Sequence, residues 1–220
     1  MRTLVVAPHP DDEVLGCGGT LLRRKQEGGE VAWLIVTGMS EEAGWARAII
    51  ERRRSEIELV SQAIGFDRVF ELGLRPAGLD RLPMGDLVRG ISEVFREFQP
   101  EEVFVPHRED VHTDHRIVFD AVAACSKWFR YPSVRRVLSY ETLSETEFGL
   151  GPEGAFRPNC FVDITGHLDR KLEIMRIYQS EVADFPFPRS LDAMRALAML
   201  RGATAGTIAA EAFHLLRERQ

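Results

Sequence analysis

Apolar, strand-like runs alternate with helix-periodic stretches, and the first strand ends abruptly in a cluster of one imidazole and three carboxylates; together these predict an α/β fold. The strand-like runs are Leu4–Ala7, Val31–Thr37, Arg68–Glu71, Glu102–Pro106, Val134–Tyr140 and Cys160–Asp163. Between them, Thr20–Gln26, Ala43–Ile64, Gly85–Phe98 and Asp114–Phe129 carry apolar residues three and four apart, the spacing that collects them on one helix face. Repeated βα units imply a mostly parallel sheet with helices on both faces, a Rossmann-like three-layer sandwich whose ligand site lies at the carboxyl ends of the strands. After Asp163 the chain reads as helical: one helix around Leu168–Ser180, one from Ser190 to Arg201 and one from Ala203 to Arg219. Gly and Pro gather in Glu27–Glu30, Gly73–Pro83, Thr146–Pro158 and Phe185–Pro188, which read as loops. None has the composition of a flexible linker, no repeat is visible, and 220 residues suffice for one well-buried core. Residues 1–220 therefore read as a single domain.

Composition narrows the function. A hydrophobic fraction of 45% with 28% charged residues is ordinary for a soluble globular chain. With 28 Lys and Arg against 34 Asp and Glu, the net charge of −6 argues against a nucleic-acid partner. The dense basic run, Arg52-Arg53-Arg54, sits in a helical stretch and reads as a solvated face. The first strand meets His9 and Asp11 too early to be the apolar core of a signal peptide, and no apolar run approaches the ~20 residues of a membrane span. Cys17, Cys125 and Cys160 are odd in number and lack CxxC spacing, so neither a disulfide framework nor a cysteine zinc site is indicated. The expectation is a reduced, cytoplasmic location with no membrane insertion.

The chemistry is concentrated in two loops. Val5-Val6-Ala7-Pro8 runs into His9-Pro10-Asp11-Asp12-Glu13, followed by the glycine-rich turn Gly16-Cys17-Gly18-Gly19. Three acids beside a histidine repel one another unless a cation offsets their charge. Val103-Phe104-Val105-Pro106 leads likewise into His107, Asp110, His112, Asp114 and His115. Zinc takes imidazole nitrogen and carboxylate oxygen, and a catalytic site uses three protein ligands plus water. A bipartite site is expected, with two ligands from the first loop and one from the second. Within the first loop either Asp11 or Asp12 can serve. The glycines lack G-x-G-x-x-G spacing, and the adjacent carboxylates would repel a pyrophosphate, which argues against a nucleotide cofactor.

His9-Pro10-Asp11-Asp12-Glu13, then Gly18-Gly19-Thr20, and later His112-x-Asp114-His115 resemble the PIG-L/LmbE family of zinc-dependent deacetylases. Arg53-x-x-Glu56 with Leu59 and Ile64-Gly65, and the closing Arg201-Gly202…Gly206…Ala210-Glu211-Ala212-Phe213, extend the likeness over most of the chain. The resemblance implies removal of acetyl from N-acetylglucosamine-type sugars or glycosides, giving acetate and a free amine. It implies His9, Asp12 and His115 as metal ligands and Asp11 as general base. His112 would steady the developing oxyanion, and Asp114 would orient a neighbouring histidine. Zn²⁺ is the implied cofactor, with Fe²⁺, Co²⁺ or Mn²⁺ as alternatives. The implied partner is a small amino-sugar substrate, and self-association is common in the family.

Other residues carry two readings each. Glu13 either bonds a ligand histidine or caps the next helix, and Asp110 either orients a second-loop histidine or makes an Asx-turn. Arg53 either holds a substrate hydroxyl or phosphate or pairs on the helix surface. His107 lines the pocket or bonds backbone. Glu141, Thr146 and Glu147 follow a strand, where the far end of a substrate could lie. His167 and His214 read as structural residues in helices. Two other enzyme readings keep the metal: hydrolysis of a different amide or ester, and a Mg²⁺ phosphohydrolase, the latter disfavoured by imidazole ligands. A metal-holding protein without catalysis would not need the spare Asp11 and His112.

Overall fold

Among the described residues, seven strands form one sheet in the order β3-β2-β1-β4-β5-β7-β6: β1 (Arg2–Ala7), β2 (Glu30–Thr37), β3 (Arg68–Leu74), β4 (Glu102–Pro106), β5 (Arg136–Tyr140), β6 (Cys160–Asp163) and β7 (Ala210–Glu218). The computed structural model describes residues 1–150 and 155–220, so part of the expected loop Thr146–Pro158 lies outside the described residues. β1 to β5 run parallel, and β7 is antiparallel to both β5 and β6. Among the described residues, six α-helices complete the fold, with a short 3-10 turn at Leu79–Arg81: α1 (Asp12–Gln26), α2 (Arg47–Ile64), α3 (Met84–Phe98), α4 (Thr113–Ala124), α5 (Leu168–Met175) and α6 (Leu191–Ala205).

The strand alternation explains the three layers. In β1, Val5 and Ala7 face a core built with α1, α2, α5 and α6, while Leu4 and Val6 face a second core built with α3 and α4. Both faces of the central strands are covered, which is why their sequences are continuously apolar. The strand order reverses direction at β1: β2 and β3 lie on one side, β4 and β5 on the other. The connections leaving β1 and β4 therefore diverge and open a crevice at the strands' carboxyl ends. Both His/Asp loops emerge there.

Three expectations are corrected. The stretch Ala203–Arg219 is not a helix: α6 stops at Gly206, which caps it with φ 76, and Ala210–Glu218 forms β7. The cause is tertiary, since β7 fills the slot between β5 and β6 and stacks Phe213 on Phe104 with ring centroids 4.9 Å apart. His214 accordingly lies on a strand. Second, the glycine run is not a turn but part of α1, which begins at Asp12 and kinks at Cys17, where φ is −147. The kink frees backbone donors, and Glu211 of β7 accepts from Gly19 N at 2.9 Å and Thr20 N at 2.6 Å. Lys171 of α5 donates to Glu211 at 2.6 Å and to Leu15 O at 2.9 Å, so the break in the helix is bridged from behind. Third, β3 extends to Leu74, shortening the loop expected from Gly73.

Gly16 and Gly19 of α1 are there for space. A Cβ on Gly16 would come within 2.2 Å of the ring of Tyr140, whose hydroxyl donates to Val6 O at 2.9 Å. Gly16→Ala is therefore expected to destabilise the fold by about 1–3 kcal/mol through overpacking, read as a lowered midpoint in urea at unchanged m-value.

Candidate metal centre

β1 ends at Ala7, and the chain then turns through His9 and Pro10 into α1. Asp11 sits at this corner with φ 133, a backbone conformation that L-residues rarely adopt. It is held there because its carbonyl accepts from Val14 N at 3.0 Å and Leu15 N at 2.9 Å, and its N–H donates to Glu13 Oε2 at 3.0 Å. The corner directs Asp12 inward: its Oδ2 accepts from His9 N at 2.8 Å and lies 3.4 Å from His9 Nδ1. His115, in the first turn of α4, brings its Nε2 to 3.3 Å from the same oxygen. Ligand atoms of His9, Asp12 and His115 all lie within 4.8 Å of one another and could hold a metal ion.

The far nitrogen of each imidazole is tied to a carboxylate. His9 Nε2 is 3.1 Å from Asp114 Oδ2, and His115 Nδ1 is 2.8 Å from Asp110 Oδ2. Each pairing fixes ring orientation and leaves the nearer nitrogen facing Asp12. Asp110 is itself held by Thr146 Oγ1, which donates at 2.6 Å. Asp114 is held by Ala77 N at 2.7 Å and Leu79 N at 3.3 Å. Asp114 thus orients a histidine of the other loop rather than its neighbour His112.

Electrostatics fit a cation site. Burial alone would disfavour an imidazolium at His9, yet hydrogen bonds to Asp114 and Asp12 raise its pKa to about 9. His115 is likewise raised well above its usual value against burial, by Asp12 and Asp110. Despite its own burial, Asp12 is held far below the usual carboxylate range by the two histidines. The pocket between these groups calls for positive charge, and two imidazole nitrogens with one carboxylate oxygen suit zinc. A second group, His9, His112 and Asp114, also brings ligand atoms within 4.8 Å. In it, Asp114 already accepts from Ala77 N and Leu79 N besides meeting His9, and His112 Nδ1 accepts from Asp114 N at 3.1 Å.

Asp11 and His112 flank the triad without joining it. Asp11 is 7% exposed; burial, then the charges of Asp12 and Glu181, push its carboxyl well above the usual range. Burial, then His9 and His115, lower His112 to about 4, so its ring is neutral at neutral pH. Because Nδ1 accepts from backbone, the proton of the neutral ring sits on Nε2, leaving a donor there.

A cavity of ≈ 570 Å³ opens over these groups and is lined by His9, Asp11, Asp12, His112 and His115. Arg53 also lines it, donating to Pro10 O at 3.0 Å and pairing with Glu181. Glu13 and Asp114 stand behind the lining. Glu13 accepts from Tyr178 OH at 2.6 Å and, buried, has a pKa raised to about 8. His107 is off the cavity, edge-on to Phe156 with ring centroids 5.2 Å apart. Glu141 pairs with Arg201 at 2.6 Å, away from this site. Sequence reasoning missed Trp45, Ile50, Ile57, Ser144, Glu145, Glu181 and Arg189, all of which line the cavity. The spacing of 50, 53, 54, 57 and 58 along α2 held the signal for one wall, since these positions share a helix face. No local pattern marks Arg189.

Known proteins resemble this chain in sequence and in fold. Residues 4–126 match the model of the PIG-L family, described as GlcNAc-PI de-N-acetylase. The 2′-N-acetylparomamine deacetylase of Streptomyces fradiae is 29% identical, over 83% of this chain and 74% of that protein. The diacetylchitobiose deacetylase of Thermococcus kodakarensis is 27% identical, over 93% of this chain and 79% of that protein. Among solved structures, the N,N′-diacetylchitobiose deacetylase of Pyrococcus horikoshii superposes with a TM-score of 0.78 at 25% identity, covering 98% of this chain and 84% of that one.

Proposed function

The chain belongs to the PIG-L family, and on that premise we propose that it is a metal-dependent hydrolase removing the N-acetyl group from an N-acetylglucosamine-type sugar or glycoside. The observation that carries this reading is the convergence of His9, Asp12 and His115 beside a second, separately held acid, Asp11, in one cavity. His9, Asp12 and His115 would hold the metal. Zinc suits the donors best, and Fe²⁺, Co²⁺ or Mn²⁺ are compatible with them. When bound, the metal supplies Lewis acidity, polarising the amide carbonyl and making water acidic enough to react near neutral pH.

The protein's own groups do the rest. Asp11 takes the proton of the attacking water and returns it to the departing nitrogen. His112 presents Nε2–H to the amide oxygen as negative charge builds there. Asp114 and Asp110 hold the imidazoles of His9 and His115 in place. Trp45, Ile50, Ile57 and Pro76 offer an apolar wall to the remainder of the substrate. Six carboxylates line the cavity (Asp11, Asp12, Glu58, Glu71, Glu145, Glu181) against three guanidiniums (Arg53, Arg54, Arg189), so neutral or cationic leaving portions are favoured over phosphorylated ones. The whole chain acts as one domain. Its free cysteines Cys17, Cys125 and Cys160 suit a reducing compartment such as the cytoplasm.

Acetate release from N-acetylglucosamine, diacetylchitobiose and UDP-N-acetylglucosamine tests this. The expected order places the uncharged sugars ahead of the nucleotide sugar. Absence of acetate from every substrate, with metal stoichiometrically bound, would overturn the reading.

A further inference from the structure

Arg189 lies between α5 and α6, more than 70 residues downstream of either His/Asp loop, yet a continuous set of polar contacts ties it to both. On one side, its Nε donates to Glu181 O at 3.0 Å and its Nη2 to Glu181 Oε2 at 3.3 Å. Glu181 Oε1 in turn takes Arg53 and accepts from Ser180 Oγ at 2.9 Å. Arg53 then donates to Pro10 O, the carbonyl between His9 and Asp11. The cation of Arg53 also stands over the ring of Tyr178, 5.4 Å from its centroid, and Tyr178 OH reaches Glu13, which holds the N–H of Asp11.

On the other side, Arg189 Nη1 donates to Ser144 Oγ at 2.8 Å. Ser144 has φ 75, an unfavourable conformation for a side-chain-bearing residue that needs outside support. It stands in a tight turn closed by Thr142 N donating to Thr146 Oγ1 at 2.8 Å. The same hydroxyl donates to Asp110, and Asp110 holds His115. The turn also braces the second loop directly, because Val111 N donates to Glu145 O at 3.2 Å.

We propose that Arg189 is a positioning residue: it clamps the turn at 142–146, and through it His115, to the loop that carries His9, Asp11 and Asp12. A guanidinium suits the task because its planar fork places three donors on two separate segments at once, which an ammonium cannot reproduce. Its consequence is a fixed separation between the general base and the ligand from the second loop. Misplacement of about 1 Å between reacting groups costs on the order of 100-fold in rate. The role of the clamp in catalysis rests on the deacetylase reading, whereas its role in holding the loops does not.

The test uses full-length, zinc-loaded protein and compares wild type with Arg189→Ala by backbone hydrogen exchange and steady-state kinetics. Expected is retention of one metal per chain, with faster exchange both in 142–147 and in 9–13. Expected too is a kcat lowered about 10- to 100-fold with a much smaller change in KM, partly restored by added methylguanidinium. Faster exchange in 142–147 alone would overturn the clamp, as would a raised KM at unchanged kcat, which marks a simple substrate contact. If Arg189→Ala does not fold, Ser144→Ala keeps the guanidinium, removes its bond to the turn together with a long 3.5 Å contact to Glu145, and must show both effects at smaller size; wild-type exchange and kcat there would refute the proposal. A wild-type protein that releases no acetate would sink the deacetylase reading while leaving the exchange comparison to decide the clamp.

Discussion

Asp11→Asn is expected to keep its metal and lose turnover by about 10²- to 10⁴-fold, the usual contribution of a positioned general base. Asparagine matches aspartate in shape, so the corner at φ 133 and the bonds from Val14 N and Leu15 N to its carbonyl persist. What disappears is the carboxylate that accepts a proton. Because Asp11 lies outside the group formed by His9, Asp12 and His115, metal content measured by elemental analysis should remain that of the wild type. KM should change little, since a base acts on the reaction rather than on ground-state binding. Loss of metal from Asp11→Asn would exchange the roles of the two aspartates.

His115→Ala is expected to fail in the opposite way, losing metal and activity together. Removing even an orienting partner of a metal ligand typically weakens binding by 10- to 100-fold, and removing the ligand itself costs more. The substitution also strands two carboxylates, because Asp12 and Asp110, both nearly fully buried, each lose a contact with this ring. Without His115 their burial is no longer compensated, so the variant is expected to be less stable as well. Circular dichroism establishes the temperature at which it stays folded, and metal binding there is the deciding quantity. Normal metal affinity in folded His115→Ala would remove His115 from the ligand set.

The two His/Asp loops were legible in the sequence because each is a short contiguous segment following a strand, and the sheet alone brings two such loops together. Helices on both faces were legible too, since the spacing in Gly85–Phe98 and the apolar β1 and β4 state it locally. What stayed hidden depends on distant partners. Ala210-Glu211-Ala212-Phe213 is built of residues that tolerate a helix, and it becomes a strand through the slot between β5 and β6. The glycines of α1 resembled a turn, because nothing nearby announces that Tyr140 and Ile164 press against them. For Asp114 the resemblance implied a neighbouring histidine as its partner; the carboxylate lies against His9, about a hundred residues away, and the support from Ala77 N and Leu79 N leaves no trace in spacing. Arg189, alone beside Phe185–Pro188, carries no local pattern at all.

The most direct test of metal-dependent deacetylation is a titration of chelator-stripped protein with zinc while acetate release from diacetylchitobiose is followed. One site built from His9, Asp12 and His115 predicts no activity in the stripped protein, a linear rise, and a break at one equivalent per chain. Undiminished acetate release from protein proven free of metal would contradict the account, as would a fully loaded protein that releases none.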